Sequence, residues 1–322
     1  MEPPVPTPSS FDVTNVHGWF LVCLGVAGVL LNGALLAALC SGGRRLFRPS
    51  SSSSSFASLI LNLTLADLGI AVCGCPTAAA AAFYGRWIWG DLGCRLYGFQ
   101  GLFFGLSSLM TVASLQVDRY LVLRGSSPFR GCGGTGVLLI GAVWINAAFW
   151  AAAPIYGWHR YGLEPLGISC TIDYQDNDWS YVSYLLGLIS FCYVLPISAM
   201  LFCQVKIRRI LATVKPEVRK KTDVDPPDDV DEDVGDGKPA LGLLIVFLFC
   251  WTPYAVVCGW SALFGASTFP PPLTTLPPLC AKMAPILNPL VVTATSARIR
   301  RSLFGSPRGR GSYEGGAGEK EK

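Results

Sequence analysis

Lys282 lies in the middle of an apolar run, residues 273–292, about ten residues from either end. At 1.5 Å per residue that is roughly 15 Å from each face of a bilayer, too far for the lysine stem to carry its charge to water. A cation at that depth costs at least about 2–3 kcal/mol, so this amine must be paired or put to a reaction. A desolvated, neutral lysine amine condenses with carbonyl compounds. Asn288 lies in the same run, and other apolar stretches hold Asn32 and Asp67. Such groups must hydrogen-bond across helices, because lipid offers them nothing.

The elements that hold these residues follow from composition. The chain has 322 residues, 51% hydrophobic and only 14% charged, a membrane composition. Apolar stretches of spanning length recur at 17–40, 56–82, 93–123, 135–156, 181–206, 239–264 and 272–294. The first is too long for a cleaved signal and lacks a basic start. Basic residues cluster after the odd-numbered spans: Arg44, Arg45 and Arg48; Arg124 and Arg130; Lys206 through Lys221; Arg298, Arg300 and Arg301. The opposite side holds Arg86, Arg95 and Arg160. This places the amino terminus outside and the carboxyl terminus in the cytoplasm. The net charge of +4 therefore reports topology, and no nucleic-acid site follows from it. Most of the 12 cysteines lie inside spans. Cys94 and Cys170 face the oxidising side and are expected to form a disulfide.

Residues 1–16, rich in Pro and Ser, are expected to be disordered outside the membrane. The Ser50–Ser55 run after Pro49 reads as a helix start. The segment 215–238 joins a basic block to an acidic one that includes Asp233. Its prolines and glycines predict a solvated cytoplasmic loop. The tail 305–322 is Gly-rich, charged and expected to be disordered, leaving 17–304 as the membrane domain. The one glycosylation sequon, Asn62-Leu63-Thr64, lies inside a span and is expected to stay unmodified.

The motifs come in a definite order. Asn32 is in span one and Asn62-Leu63-Thr64-Leu65-Ala66-Asp67 in span two. Asp118-Arg119-Tyr120 closes span three, and Trp144 and Pro196 mark spans four and five. Cys250-Trp251-Thr252-Pro253-Tyr254 is in span six and Asn288-Pro289 in span seven. This ordered set resembles the rhodopsin-like class of G-protein-coupled receptors. Lys282, six residues before Asn288, and the outer loop from Gly157-Trp158-His159 through Ser169-Cys170-Thr171 resemble an opsin, with the neuropsin-like non-visual opsins as the most similar group. Further segments carrying that likeness are Arg95-Leu96-Tyr97-Gly98-Phe99 and Gly101-Leu102-Phe103-Phe104-Gly105.

The resemblance implies an all-α, seven-helix transmembrane bundle with a short amphipathic helix after span seven. It implies a plasma-membrane light receptor, not an enzyme. Retinal, as the 11-cis or all-trans isomer, would be bound on Lys282 as a Schiff base. The partner would be a heterotrimeric G protein, of the inhibitory class if the chain follows neuropsins. Many visual opsins carry a counterion Glu three residues after the helix-three Cys; here that residue is Tyr97. Glu164 matches the family's other counterion position, with Tyr97 hydrogen-bonding near the imine. Trp251 and Tyr254 would wall the polyene, and Gly101 and Gly105 would leave room for it. Asp118, Arg119, Tyr120, Asn288 and Pro289 would serve activation. The sequence departs from the family at its cytoplasmic readout, where Gln204 and Val292 replace two tyrosines that stabilise the open state. A retinal photoisomerase or chromophore store with weak signalling is the alternative, and a receptor for a diffusible ligand a third reading.

Overall fold

The computed structural model describes residues 8–46, 52–125, 134–175, 177–221, 238–266, 273–274 and 276–304. Span one is α1 (Pro8–Leu46). Span two is α2 (Ser52–Gly69), a π turn (Ile70–Gly74) and α3 (Cys75–Phe83). Spans three and four are α4 (Gly90–Leu123) and α5 (Gly134–Ala152). A hairpin follows, β1 (Tyr161–Leu163) pairing antiparallel with β2 (Cys170–Ile172), with Leu163 opposite Cys170. Span five is α6 (Trp179–Ile189), a second π turn (Ser190–Val194) and α7 (Leu195–Lys221). Spans six and seven are α8 (Lys238–Phe264) and α9 (Leu276–Thr295), and the short α10 (Ala297–Phe304) follows. Six of these helical spans are long and apolar enough to cross a membrane, and the fourth contributes a shorter apolar helix, Gly136–Ala152. The chain is a multi-pass membrane protein.

Each π turn has a cause in the sequence. Pro76 and Pro196 follow them closely. Proline lacks an N–H and its ring collides with the carbonyl four residues back, here Val72 and Cys192. A wider turn relieves that collision. The core runs through Leu59, Ile60 and Leu63 of span two, Leu109, Val112 and Leu115 of span three, and Leu243, Phe247 and Val292 of spans six and seven. Leu30, Val72, Leu138, Ile145, Phe191, Ile245 and Leu263 are exposed, as a lipid-facing belt requires.

Two expectations on disorder need correction. Helix α1 begins at Pro8, inside the segment 1–16 expected to be disordered. Proline suits a first helical turn, and no other proline follows before residue 47 to stop the helix. Helix α7 runs on to Lys221, so residues 215–221 are helical and not loop. Residues 222–237 with Asp233, the tail 305–322 and residues 1–7 lie outside the described residues. The Cys94–Cys170 disulfide is present, tying β2 to the outer end of α4.

Candidate functional site

Span three supplies one wall of the site. Tyr97, Gln100 and Gly101 lie about one turn apart on α4, which puts them on one side of the helix. They line a cavity of about 160 Å³ together with Trp251 and Tyr254 of α8 and Lys282 of α9. The rest of the lining is mostly apolar, including Leu102, Leu106, Leu185 and Ile189. Both π turns contribute: Ile70 and Gly74 from the first, Cys192 and Tyr193 from the second. The bends imposed by the two prolines thus shape the cavity. The hairpin lies against it, with Tyr161, Cys170, Thr171 and Ile172 in the lining.

Lys282 supplies the one amine of this lining. Its Nζ lies 5.6 Å from the Tyr97 ring centroid. It also lines a second cavity, of about 20 Å³, with Glu164, Ser169, His17 and Thr274, a size that admits one water. Lys282 is therefore the residue common to both. Glu164 is buried, 5% exposed, not a solvent-facing loop carboxylate. Tyr254 Oη donates to Glu164 Oε1 at 2.7 Å, and Ser169 Oγ donates to Oε2. Among the described residues Glu164 and Lys282 make no direct ion pair. Tyr254 thus does more than wall the cavity: it ties the loop carboxyl to span six.

The hairpin is pinned to the bundle by its polar groups. Tyr161 Oη donates to the Ala151 carbonyl at 2.7 Å, and Ser261 Oγ donates to the Tyr174 carbonyl. Burial pushes the Tyr161 and Tyr174 hydroxyls above the usual tyrosine range, so both stay neutral. Arg160 pairs with Asp173 at 2.9 Å on the outer side.

Gly101 and Gly105 turn out to differ. A Cβ on Gly101 would meet nothing within 4 Å, whereas one on Gly105 would overlap the Trp251 indole. Gly105 is not among the residues lining the cavity. Its missing Cβ makes room for Trp251, itself a lining residue.

The polar residues of the spans hydrogen-bond across helices. Asn32 Nδ2 donates to the Gly28 and Pro285 carbonyls, at 2.9 and 2.6 Å, joining spans one and seven. Asp67 accepts from Ser108 Oγ at 2.8 Å and from Asn288 Nδ2 at 2.9 Å. Asn62 donates to Thr111 and accepts from Trp144. At the carboxyl-terminal end of α4, Ser55 Oγ donates to Asp118 at 3.0 Å. The Arg119 guanidinium sits 4.2 Å over the Phe56 ring, and the Tyr120 hydroxyl accepts from Arg124 at 2.9 Å. Val292 is fully buried in the core. Gln204 Nε2 donates to Gln116 Oε1 at 2.8 Å, and Gln116 Nε2 donates to the Ala240 carbonyl. One buried amide thus links spans three, five and six.

Sequence reasoning missed Gln100, Ser169 and Gln116. Gln100 was open to discovery, because it follows Tyr97 by three residues on a helix. Ser169 and Gln116 act through partners distant in sequence, which no local pattern reveals.

Comparison with known proteins agrees with this architecture. The model of the 7 transmembrane receptor (rhodopsin family) matches residues 44–291. The chain belongs to that family, and within it to the opsins; it is a receptor and not an enzyme. It is 29% identical over 295 residues to the visual pigment-like receptor peropsin of Homo sapiens, covering 90% of this chain and 83% of that one. It is 32% identical over 321 residues to opsin-5 of Mus musculus, covering 96% and 80%. The crystal structure of squid rhodopsin superposes with a TM-score of 0.76 at 26% identity, covering 94% of this chain and 86% of that one.

Proposed function

We propose that the protein is a light-sensing, non-visual opsin of the plasma membrane. It carries retinal on Lys282, 11-cis or all-trans, and activates a heterotrimeric G protein. The inhibitory class is the one implied by the neuropsin resemblance. The basic residues that follow the odd-numbered spans put the amino terminus outside. The observation that carries this reading is Lys282 itself: one amine in the lining of a mostly apolar cavity, with a buried carboxyl in the adjoining one. Such a lining suits an apolar ligand bearing one carbonyl.

When bound as a Schiff base on Lys282, retinal supplies light absorption and a photochemical change of shape. The chain's residues do the rest. Lys282 Nζ holds a proton, and Glu164 offsets that charge from the adjoining cavity. Tyr254 and Ser169 fix the carboxyl in place, as a buried charge requires. The hairpin lid excludes water. Trp251 and Tyr254 both lie on α8, so a push on either is delivered to span six. Span six is held to span three at Ala240, and its movement is what a G protein would read.

Light-dependent nucleotide exchange on a G protein tests this directly. An increase in the light supports the receptor. Binding and isomerisation of retinal with no exchange would instead support the photoisomerase or storage reading, which Gln204 and Val292 favour. A carboxyl on the loop in place of span three also predicts a thermally stable photoproduct. Illumination at a second wavelength is expected to restore the starting spectrum, and bleaching to free retinal would contradict this.

A further inference from the structure

We propose that Gln100 positions the proton on the Lys282 nitrogen, its side-chain carbonyl accepting a hydrogen bond from that nitrogen once retinal is attached. This rests on the reading of Lys282 as the attachment point. Buried polar atoms in folded proteins are nearly always paired. Among the described residues Gln100 Oε1 is buried without a hydrogen-bond partner, one helical turn from Tyr97, whose ring centroid lies 5.6 Å from Lys282 Nζ. Both residues line the cavity that Lys282 enters. Much of the remaining lining is Leu and Ile, which can pair with neither.

The surroundings of Gln100 explain why its amide is left open. Across from it lies Gly74, the last residue of the first π turn. A Cβ there would stand 3.4 Å from Gln100 Nε2. The amide therefore packs against a backbone that presents no side chain to bond it. An amide oxygen is an acceptor, suited to an N–H donor. Glu164 sits in the other cavity that Lys282 lines, already accepting from Tyr254 and Ser169. The two groups divide the work: Glu164 balances the charge, and Gln100 sets the direction of the N–H.

The test uses full-length protein, with and without 11-cis-retinal. In the apoprotein, Gln100→Leu removes an unpaired buried amide and is expected to raise the thermal midpoint. In the retinal-loaded protein the same change is expected to lower proton affinity at Lys282 about tenfold, one pH unit in the titration of the visible band. Gln100→Glu in the Glu164→Gln background is expected to restore a visible band, since it returns a carboxylate to the same nitrogen. A Gln100→Leu titration identical to wild type would overturn the proposal, as would failure of the double variant to recover visible absorption. If Gln100→Leu does not fold, the double variant decides alone. If the unmodified protein forms no band with retinal, the Lys282 reading falls first and this proposal with it.

Discussion

Glu164→Gln is expected to move the absorption of the retinal-loaded protein from the visible to the near ultraviolet. The reasoning is electrostatic. Glu164 shares a small cavity with Lys282, and leaving a buried charge uncompensated costs about 3–5 kcal/mol. At 1.36 kcal/mol per pH unit, that lowers the proton affinity of the Lys282 nitrogen by roughly two to four units. Glutamine keeps the shape and can still hydrogen-bond with Tyr254 and Ser169, so the hairpin should stay seated. Tyr254→Phe is the control, removing one hydrogen bond while keeping the carboxyl. A spectrum unchanged by Glu164→Gln would remove Glu164 as the counterion.

Gln116→Leu is expected to raise nucleotide exchange in the dark about tenfold. Gln116 is fully buried and bonds both Gln204 and the Ala240 carbonyl. Each neutral hydrogen bond contributes about 0.5–1.5 kcal/mol net, and the partners left behind are unsatisfied. A loss of about 1.4 kcal/mol is a factor of ten in the population of an open state. Gln204 stands where the resemblance places a tyrosine that stabilises the open arrangement, and the Gln204–Gln116–Ala240 link is expected to favour the closed one. Unchanged dark exchange, with the variant folded and loaded, would show that this amide does not hold span six.

The parts of this protein legible in its sequence share a feature: their signal is local. Span length and basic flanks gave the seven helices, and a lysine at mid-membrane depth gave the site. Cys94 and Cys170 could be paired because few cysteines face outward. What escaped is long-range. That Tyr254 reaches Glu164, 90 residues away, depends on how the hairpin folds back over the bundle. The contact of Gly105 with Trp251 is hidden in the same way, because Trp251 comes from another helix. Helix α1 extends to Pro8 although Pro- and Ser-rich composition suggests disorder, because proline is tolerated in a first helical turn.

The central claim is that Lys282 binds retinal covalently. The most direct measurement is the absorbance of purified protein supplied separately with 11-cis and all-trans retinal, beside Lys282→Ala. The account predicts a light-sensitive band with at least one isomer, absent in the variant. No band with either isomer, or a band that survives Lys282→Ala, would contradict it.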